Sequence, residues 1–324
     1  MLHAGRHPGA HGVGNGWEQM ARLHVFGAAR WGGFSGAAGA EGVAVLHDRR
    51  VSVRGYVEAT HAGPTAAVVA FTVALALAVG LGWRTLLVVA AVLTGQLSIG
   101  WANDLLDAGR DRRADRRDKP LLRGLVSERG LLVGTVAAAA LTVPLSLLAG
   151  LLAGAAHLVG VACGWAYDLG LKRTSASPLP YFVAFALVPT SFVVLALPGA
   201  TWPRPAVVVA SGLLGVSAHF TNAVKDLEAD TATGVRGLPQ RFGARWSGAV
   251  SGALLLIGSA LLLAGSGGLP GLAAALAVAA ALVALGYTGL LVTGRAVGGA
   301  FALNVGAIGL LVAAVVASGG HVVA

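Results

Sequence analysis

Long apolar stretches alternate with short charged ones along most of this chain. Nine apolar runs can be read, at about 64–82, 86–104, 130–149, 151–168, 180–198, 205–224, 246–265, 269–291 and 297–317. Each is close to the roughly 20 residues a helix needs to cross the hydrocarbon core of a bilayer. The pattern predicts an all-α membrane protein of nine transmembrane helices. Residues 1–60 break it: they are rich in Gly, Ala, Arg and His and hold no sustained apolar run. They are expected to form a disordered or weakly structured extension, with the transmembrane domain occupying 61–324. His3, His7 and His11 are evenly spaced within this extension, but their Gly-rich surroundings form helix poorly, so the spacing is read as chance and not as a metal site.

The charges fall into clusters: before the first run, and after the second, fourth, sixth and eighth. The positive-inside rule then puts the N-terminus in the cytoplasm and, with nine spans, the C-terminus outside. Composition agrees, since 56% of the 324 residues are hydrophobic and only 11% charged, with a mean hydropathy of +0.76. Soluble domains carry about 25% charged residues, so that class is excluded. The net charge of +9 would suit nucleic acid if spread over a surface, but its confinement to loops beside the bilayer excludes that partner. A lone Cys163 excludes a disulfide framework. Few lysines among many arginines, with an Ala/Gly/Val bias, suggest a bacterial cell membrane. Gly150/Gly154, Gly160/Gly164 and Gly294/Gly298 have the spacing of closely packed membrane helices.

Two acidic constellations stand at the expected cytoplasmic ends of the second and sixth runs. Asn103, Asp107 and Asp111 are spaced i, i+4, i+8, with Asp104 beside them, so on a helix they form one stripe. Asn222, Asp226 and Asp230 repeat the spacing four runs later. Facing carboxylate stripes repel unless cations lie between them. Hard oxygen ligands of this kind suit Mg²⁺, which commonly completes its shell with phosphate oxygens of a substrate. Lys119 and Arg123 after the first stripe, Lys172 and Arg173 in the second cytoplasmic loop, and Lys225 and Arg236 near the second stripe are the cations expected to hold a diphosphate. Ionisable groups at a membrane edge are functional by default. Gln96, two turns before Asn103, and His219, three residues before Asn222, are expected in the pocket. His157 and Asn304 are read as packing contacts, and Asp168 as a partner of Lys172 across one helical turn.

Asn103-Asp104-x-x-Asp107-x-x-x-Asp111 resembles the NDxxDxxxD motif of the UbiA superfamily of intramembrane prenyltransferases. Asp226-x-x-x-Asp230, with Gly234 and the run Arg236-Gly237-Leu238-Pro239 behind it, is similar to that family's second motif and trailing loop. Lys119-Pro120-Leu121-x-x-Gly124 resembles the stretch after its first motif. Tyr167 to Lys172 resembles its Tyr/Lys loop motif, one residue longer here. The resemblance covers about residues 55–317. It implies a nine-helix bundle around a central cavity, in which Asn103, Asp104, Asp107, Asp111, Asp226 and Asp230 hold Mg²⁺ and a prenyl diphosphate, with Tyr167 and Lys172 also catalytic. The implied reaction moves the prenyl group to a lipophilic acceptor within the bilayer, an aromatic or quinone precursor. His61 stands in the region where some members carry an Arg facing an acidic acceptor. An intramembrane terpene cyclase built on the same metal site, and a transporter or scaffold, remain open alternatives. Oligomeric state is left open.

Overall fold

The computed structural model describes residues 52–265, 271–295 and 298–318. The chain divides into Met1–His47 and Asp48–Ala324, and every described residue lies in the second unit. His3, His7 and His11 lie outside the described residues. All regular structure among those described is helical.

The elements are α1 (Val53–Ala59), α2 (Ala62–Ala78), α3 (Arg84–Arg113), α4 (Glu128–Leu148), α5 (Leu151–Leu169), α6 (Pro178–Leu195), α7 (Pro205–Val224), α8 (Leu227–Ala232), α9 (Leu238–Gly265), α10 (Gly271–Val292) and α11 (Ala300–Ala317). Seven of them, α3, α4, α6, α7, α9, α10 and α11, are long and apolar enough to cross a bilayer. The bent pair α1–α2 would make eight. The expectation of nine is thus met by seven or eight. The stretch left out is α5, a 19-residue helix that carries His157 and Asp168 among its apolar residues.

Local signals explain the boundaries. Ser52 and Ser127 cap α1 and α4, their hydroxyls accepting from Gly55 N and Gly130 N at 3.0 Å each. Arg110, Arg112 and Arg113 close α3, where cations favour the negative end of the helix dipole. Arg84 at the far end of α3 donates to the terminal carbonyls of Ala149 and Ala196, at 3.4 and 3.1 Å, tying the ends of α4 and α6. Within α6, Leu187–Phe192 widen into a π-helical stretch around Pro189, which has no N–H to donate. Gly243 sits at φ 71° inside α9, a conformation open to glycine, and kinks the helix there.

Val53–Ala59, expected to end the loose extension, instead form α1 packed on the bundle. Trp101 Nε1 donates to Tyr56 O at 3.0 Å, and the two rings meet edge to face at 5.9 Å. The chain then turns by 76° at His61 into α2. This elbow lies on Gly100, where a Cβ would come within 2.7 Å of Thr60 O. Gly160 and Gly164 of α5 likewise face Val188 and Ile99 closely. The Gly294/Gly298 pair does not pack in this way: both lie between α10 and α11, and a Cβ on either would meet nothing within 4 Å. Spacing alone could not separate a loop from a helix seam.

Candidate active site

Among the described residues, the apolar faces leave a large cavity at the end of the bundle where α3 and α7 terminate, with a volume of about 690 Å³. Its mouth is polar and its depth apolar. Asn103, Asp104 and Asp107 line it from α3, Asp168 and Tyr167 from the end of α5, Asn222 from α7, Asp226 from the α7–α8 break and Asp230 from α8. Gln96 lines it further down.

Both motifs therefore open onto one cavity, although only the first is a continuous stripe. Asp104, Asp107 and Asp111 ride on α3, with 3%, 2% and 3% of their surface exposed. The second is broken: α7 ends at Val224, Asp226 takes φ −109° and ψ 4° outside the helix, and Asp230 belongs to the short α8. The expected i, i+4, i+8 stripe is replaced by a turn that carries Asp226 and Asp230 over the mouth. The local reason is that Asp226 N bonds to Ala223 O, a three-residue turn that interrupts the helical ladder.

The cations are arranged as bridges. Lys119 Nζ donates to Asp104 Oδ1 at 2.8 Å, and Lys172 Nζ to Asp107 Oδ2 at 2.8 Å. Lys172 also lies 3.7 Å from Asp168, as the one-turn spacing suggested. Arg110 joins the two motifs: it donates to Asp107 Oδ2 at 2.8 Å and stands 3.5 Å from Asp230 Oδ1. Arg116 reaches Asp226 at 3.5 Å. Neither arginine was singled out by sequence, because charge-rich loops offer many candidates and only the fold selects among them. Asp168 also does more than pair locally, accepting from Asn103 Nδ2 at 2.5 Å. His61 reaches Asp104 at 3.4 Å.

Several expected residues lie elsewhere. Arg123 pairs with Glu58 at 2.9 Å and does not line the cavity. Neither do Arg173 and the exposed Arg236. Arg123 and Arg173 share their segments with Lys119 and Lys172, which do reach the cavity, a choice that linear order conceals. Lys225 does line the cavity, with its ammonium 6.0 Å from the Phe301 ring. Asp111 is buried one turn beyond the lining, with Arg110 Nε 3.8 Å away. His219 is not in the lining. Its ring lies 4.5 Å from that of Tyr181, which does face the cavity, and its Nε2 bonds Ser177 Oγ at 3.1 Å. Ser177 Oγ in turn accepts Leu238 N–H at 3.0 Å, so this strap ties the Lys172 loop to the loop after the second motif. His157 bonds Ser146 at 2.7 Å and stacks on Phe192 at 4.5 Å, while Asn304 donates to Ser217 and Tyr287, both at 2.7 Å.

Electrostatics at the mouth favour a further cation. Seven carboxylates line the cavity against five Lys and Arg side chains. Burial works against the Lys119 ammonium, yet Asp104 beside it, with Asp111 and Asp107, outweighs this and raises its pKa. Burial raises the pKa of Asp230, and the neighbouring charge of Asp226 adds to the rise while Arg110 and Gln240 offset part of it. Among the described residues, no three His, Cys, Asp or Glu side chains converge into a self-sufficient metal cluster. There are, however, buried oxygens without a partner: Asp104 Oδ2, Asp107 Oδ1, Asp168 Oδ2 and Asn222 Oδ1. Such orphans are costly unless satisfied. Hard oxygens with a deficit of positive charge are the donor set that suits Mg²⁺ shared with a phosphate ligand.

Comparison with known proteins bears on this arrangement. The model of the UbiA prenyltransferase family matches residues 62–303. No curated protein matches the sequence. Among solved structures, the fold is similar to an apo UbiA homologue from Aeropyrum pernix K1, with TM-score 0.63 and 23% identity over 78% of this chain and 97% of that one. It is also similar to a UbiA homologue from Archaeoglobus fulgidus bound to GPP and Mg²⁺, with TM-score 0.59 and 19% identity over 83% and 99% of the two chains. A digeranylgeranylglyceryl phosphate synthase matches with TM-score 0.60 and 16% identity over 82% and 98%.

Proposed function

Since the chain belongs to the UbiA prenyltransferase family and is a membrane-embedded transferase of prenyl groups, we propose that it moves a prenyl group from a prenyl diphosphate to a lipophilic acceptor, aromatic or a quinone precursor, in a Mg²⁺-dependent reaction. The observation that carries this reading is the single cavity onto which both aspartate motifs open, polar at its mouth and apolar below. The GPP and Mg²⁺ held by the Archaeoglobus fulgidus homologue support it. We further infer nine spans, with α5 and the α1–α2 pair crossing as well, and the motif-bearing end in the cytoplasm where the basic loops cluster.

Asp104, Asp107, Asp168 and Asn222 would hold Mg²⁺ through their unpartnered oxygens, with Asp226 and Asp230 closing from above and Asp111 available one turn away. When bound, the ion supplies positive charge to the diphosphate oxygens. Lys119, Lys172, Arg110 and Arg116 add fixed charge where the leaving group gains its electron pair as the allylic carbon–oxygen bond breaks. Tyr167 and Tyr181 shield the allylic carbon from the mouth, and the apolar walls below exclude water from the cation that forms. The acceptor's electron pair makes the new bond to that carbon, and its displaced proton leaves with the products.

The test is diphosphate release by the full chain in lipid nanodiscs, with Mg²⁺, a series of prenyl diphosphates, and a pool of lipophilic acceptors present or absent. Acceptor-dependent release, lost in Asp107→Asn, is expected. Release without acceptor and with cyclic products would replace the transferase reading by the cyclase. No release from any donor would overturn the reading.

A further inference from the structure

A second, smaller cavity of about 70 Å³ lies directly below the first, and four residues line both: Phe71 of α2, Phe185 and Pro189 of α6, and Ile308 of α11. These four form a wall between the two spaces. They are also among the deepest residues of the upper cavity. Phe71 follows His61 by ten positions, about 15 Å along a helix, and Ile308 follows Phe301 by seven, about 10 Å. Below the wall the lining is almost wholly apolar, including Leu75, Leu214, Leu262 and Leu311. The polar pair there, Thr190 and Ser211, is satisfied by its own 2.7 Å hydrogen bond. The π-helical stretch Leu187–Phe192 falls in this wall, and such bulges frequently mark functional positions.

We propose that this wall sets the length of prenyl chain the protein accepts, and that the small cavity behind it is a dormant subsite for one further isoprene unit. The proposal rests on the prenyl diphosphate reading above. An isoprene unit adds four carbon–carbon bonds of about 1.5 Å in zigzag, roughly 5 Å of length. A chain anchored at the mouth therefore meets Phe71 after about two or three units. A longer chain must turn aside or displace the phenyl rings. With either aromatic removed, the two cavities join and the next unit enters an apolar space that gives up no unsatisfied polar group.

The experiment measures Mg²⁺-dependent binding of prenyl thiolodiphosphates, from one to six isoprene units, to the full chain in nanodiscs. No acceptor is needed. In the parent protein, affinity is expected to rise with each unit up to two or three and then level off or fall. Phe71→Ala, and independently Ile308→Ala should the first variant not fold, move that break at least one unit longer, with a gain of about tenfold for the first analogue beyond it. Adding Leu262→Trp to Phe71→Ala refills the lower cavity and returns the break to its original length. Retained binding of the one-unit analogue reports that each variant is folded. Affinity that climbs without a break in the parent protein, or a break unmoved in both variants, would overturn the inference. Absence of Mg²⁺-dependent binding of every analogue would instead overturn the prenyl diphosphate reading itself.

Discussion

Lys172 is 5% exposed and lies between two buried carboxylates, 2.8 Å from Asp107 and 3.7 Å from Asp168. At an effective dielectric of 20, these separations correspond to gross attractions of about 6 and about 4.5 kcal/mol. Desolvation of the three groups cancels much of that sum, so the attraction is not the net value of the arrangement. Removing one partner is a different matter, since Asp107 then keeps only Arg110, Asp168 only its Asn103 hydrogen bond, and both carboxylates stay buried. Lys172→Met is therefore expected to destabilise the metal-free protein by about 3–5 kcal/mol. Asp107→Asn added to Lys172→Met should recover part of this, with a non-additivity of about 1–3 kcal/mol. Unfolding of the four proteins of this cycle, followed by near-UV circular dichroism in nanodiscs, measures the coupling. In the diphosphate-release assay Lys172→Met should lower turnover by about 10²–10³, the usual effect of deleting one fixed stabilising group. Lys172→Arg, which keeps the charge but not the compact ammonium, should recover more of the stability than of the turnover. Strictly additive effects, or a single-variant cost below about 1 kcal/mol, would mean that water reaches the pair and that the buried bridge between α3 and the Lys172 loop is wrong.

Two further predictions concern charge and packing. Because the folded pKa of Asp230 is raised above its ordinary 3.8, the folded state keeps this proton longer than the unfolded state. Stability of the metal-free protein should then fall as pH rises between the ordinary and raised values and stay lowered above them. Asp230→Asn should accordingly raise the unfolding temperature at pH 7 without Mg²⁺ while removing part of the stabilisation that added Mg²⁺ gives; an unfolding temperature lowered at pH 7 would refute the sign. Gly100→Ala should cost about 1–3 kcal/mol, since the new methyl meets the Thr60 backbone at 2.7 Å, whereas Gly286→Ala, with nothing within 4 Å, should be neutral or slightly stabilising. Equal effects in thermal unfolding would mean that the α1–α2 elbow does not rest on α3.

Much of the architecture was legible in linear order because the bilayer is an unforgiving solvent. Backbone polar groups must be satisfied within each crossing segment, so runs of apolar residues declare helices, and the basic clusters declare the ends. The first acidic motif was legible for the same reason: Asn103, Asp104 and Asp107 lie on an unbroken helix, where spacing dictates face. Outside helices that logic lapses. The break after Val224 removed Asp226 and Asp230 from any periodic stripe, yet they still reach the site because a turn and a short helix carry them over the mouth.

Which cation serves which acid was settled by tertiary structure alone. Arg110 and Arg123 look alike in a charge-rich sequence, but one bridges Asp107 and Asp230 while the other faces outward onto Glu58. His219 and Tyr181 differ in the same way, one behind the cavity lining and the other part of it. The sequence by itself determined a helical membrane protein, its family and the acids that gather at one end, since hydrophobicity and helical period act locally. The depth of the cavity, the wall of Phe71, Phe185, Pro189 and Ile308 beneath it, and the pairing of charges above it arise from the meeting of helices far apart in the chain. Those meetings depend on shape and on long-range Coulomb energy, which no single segment contains.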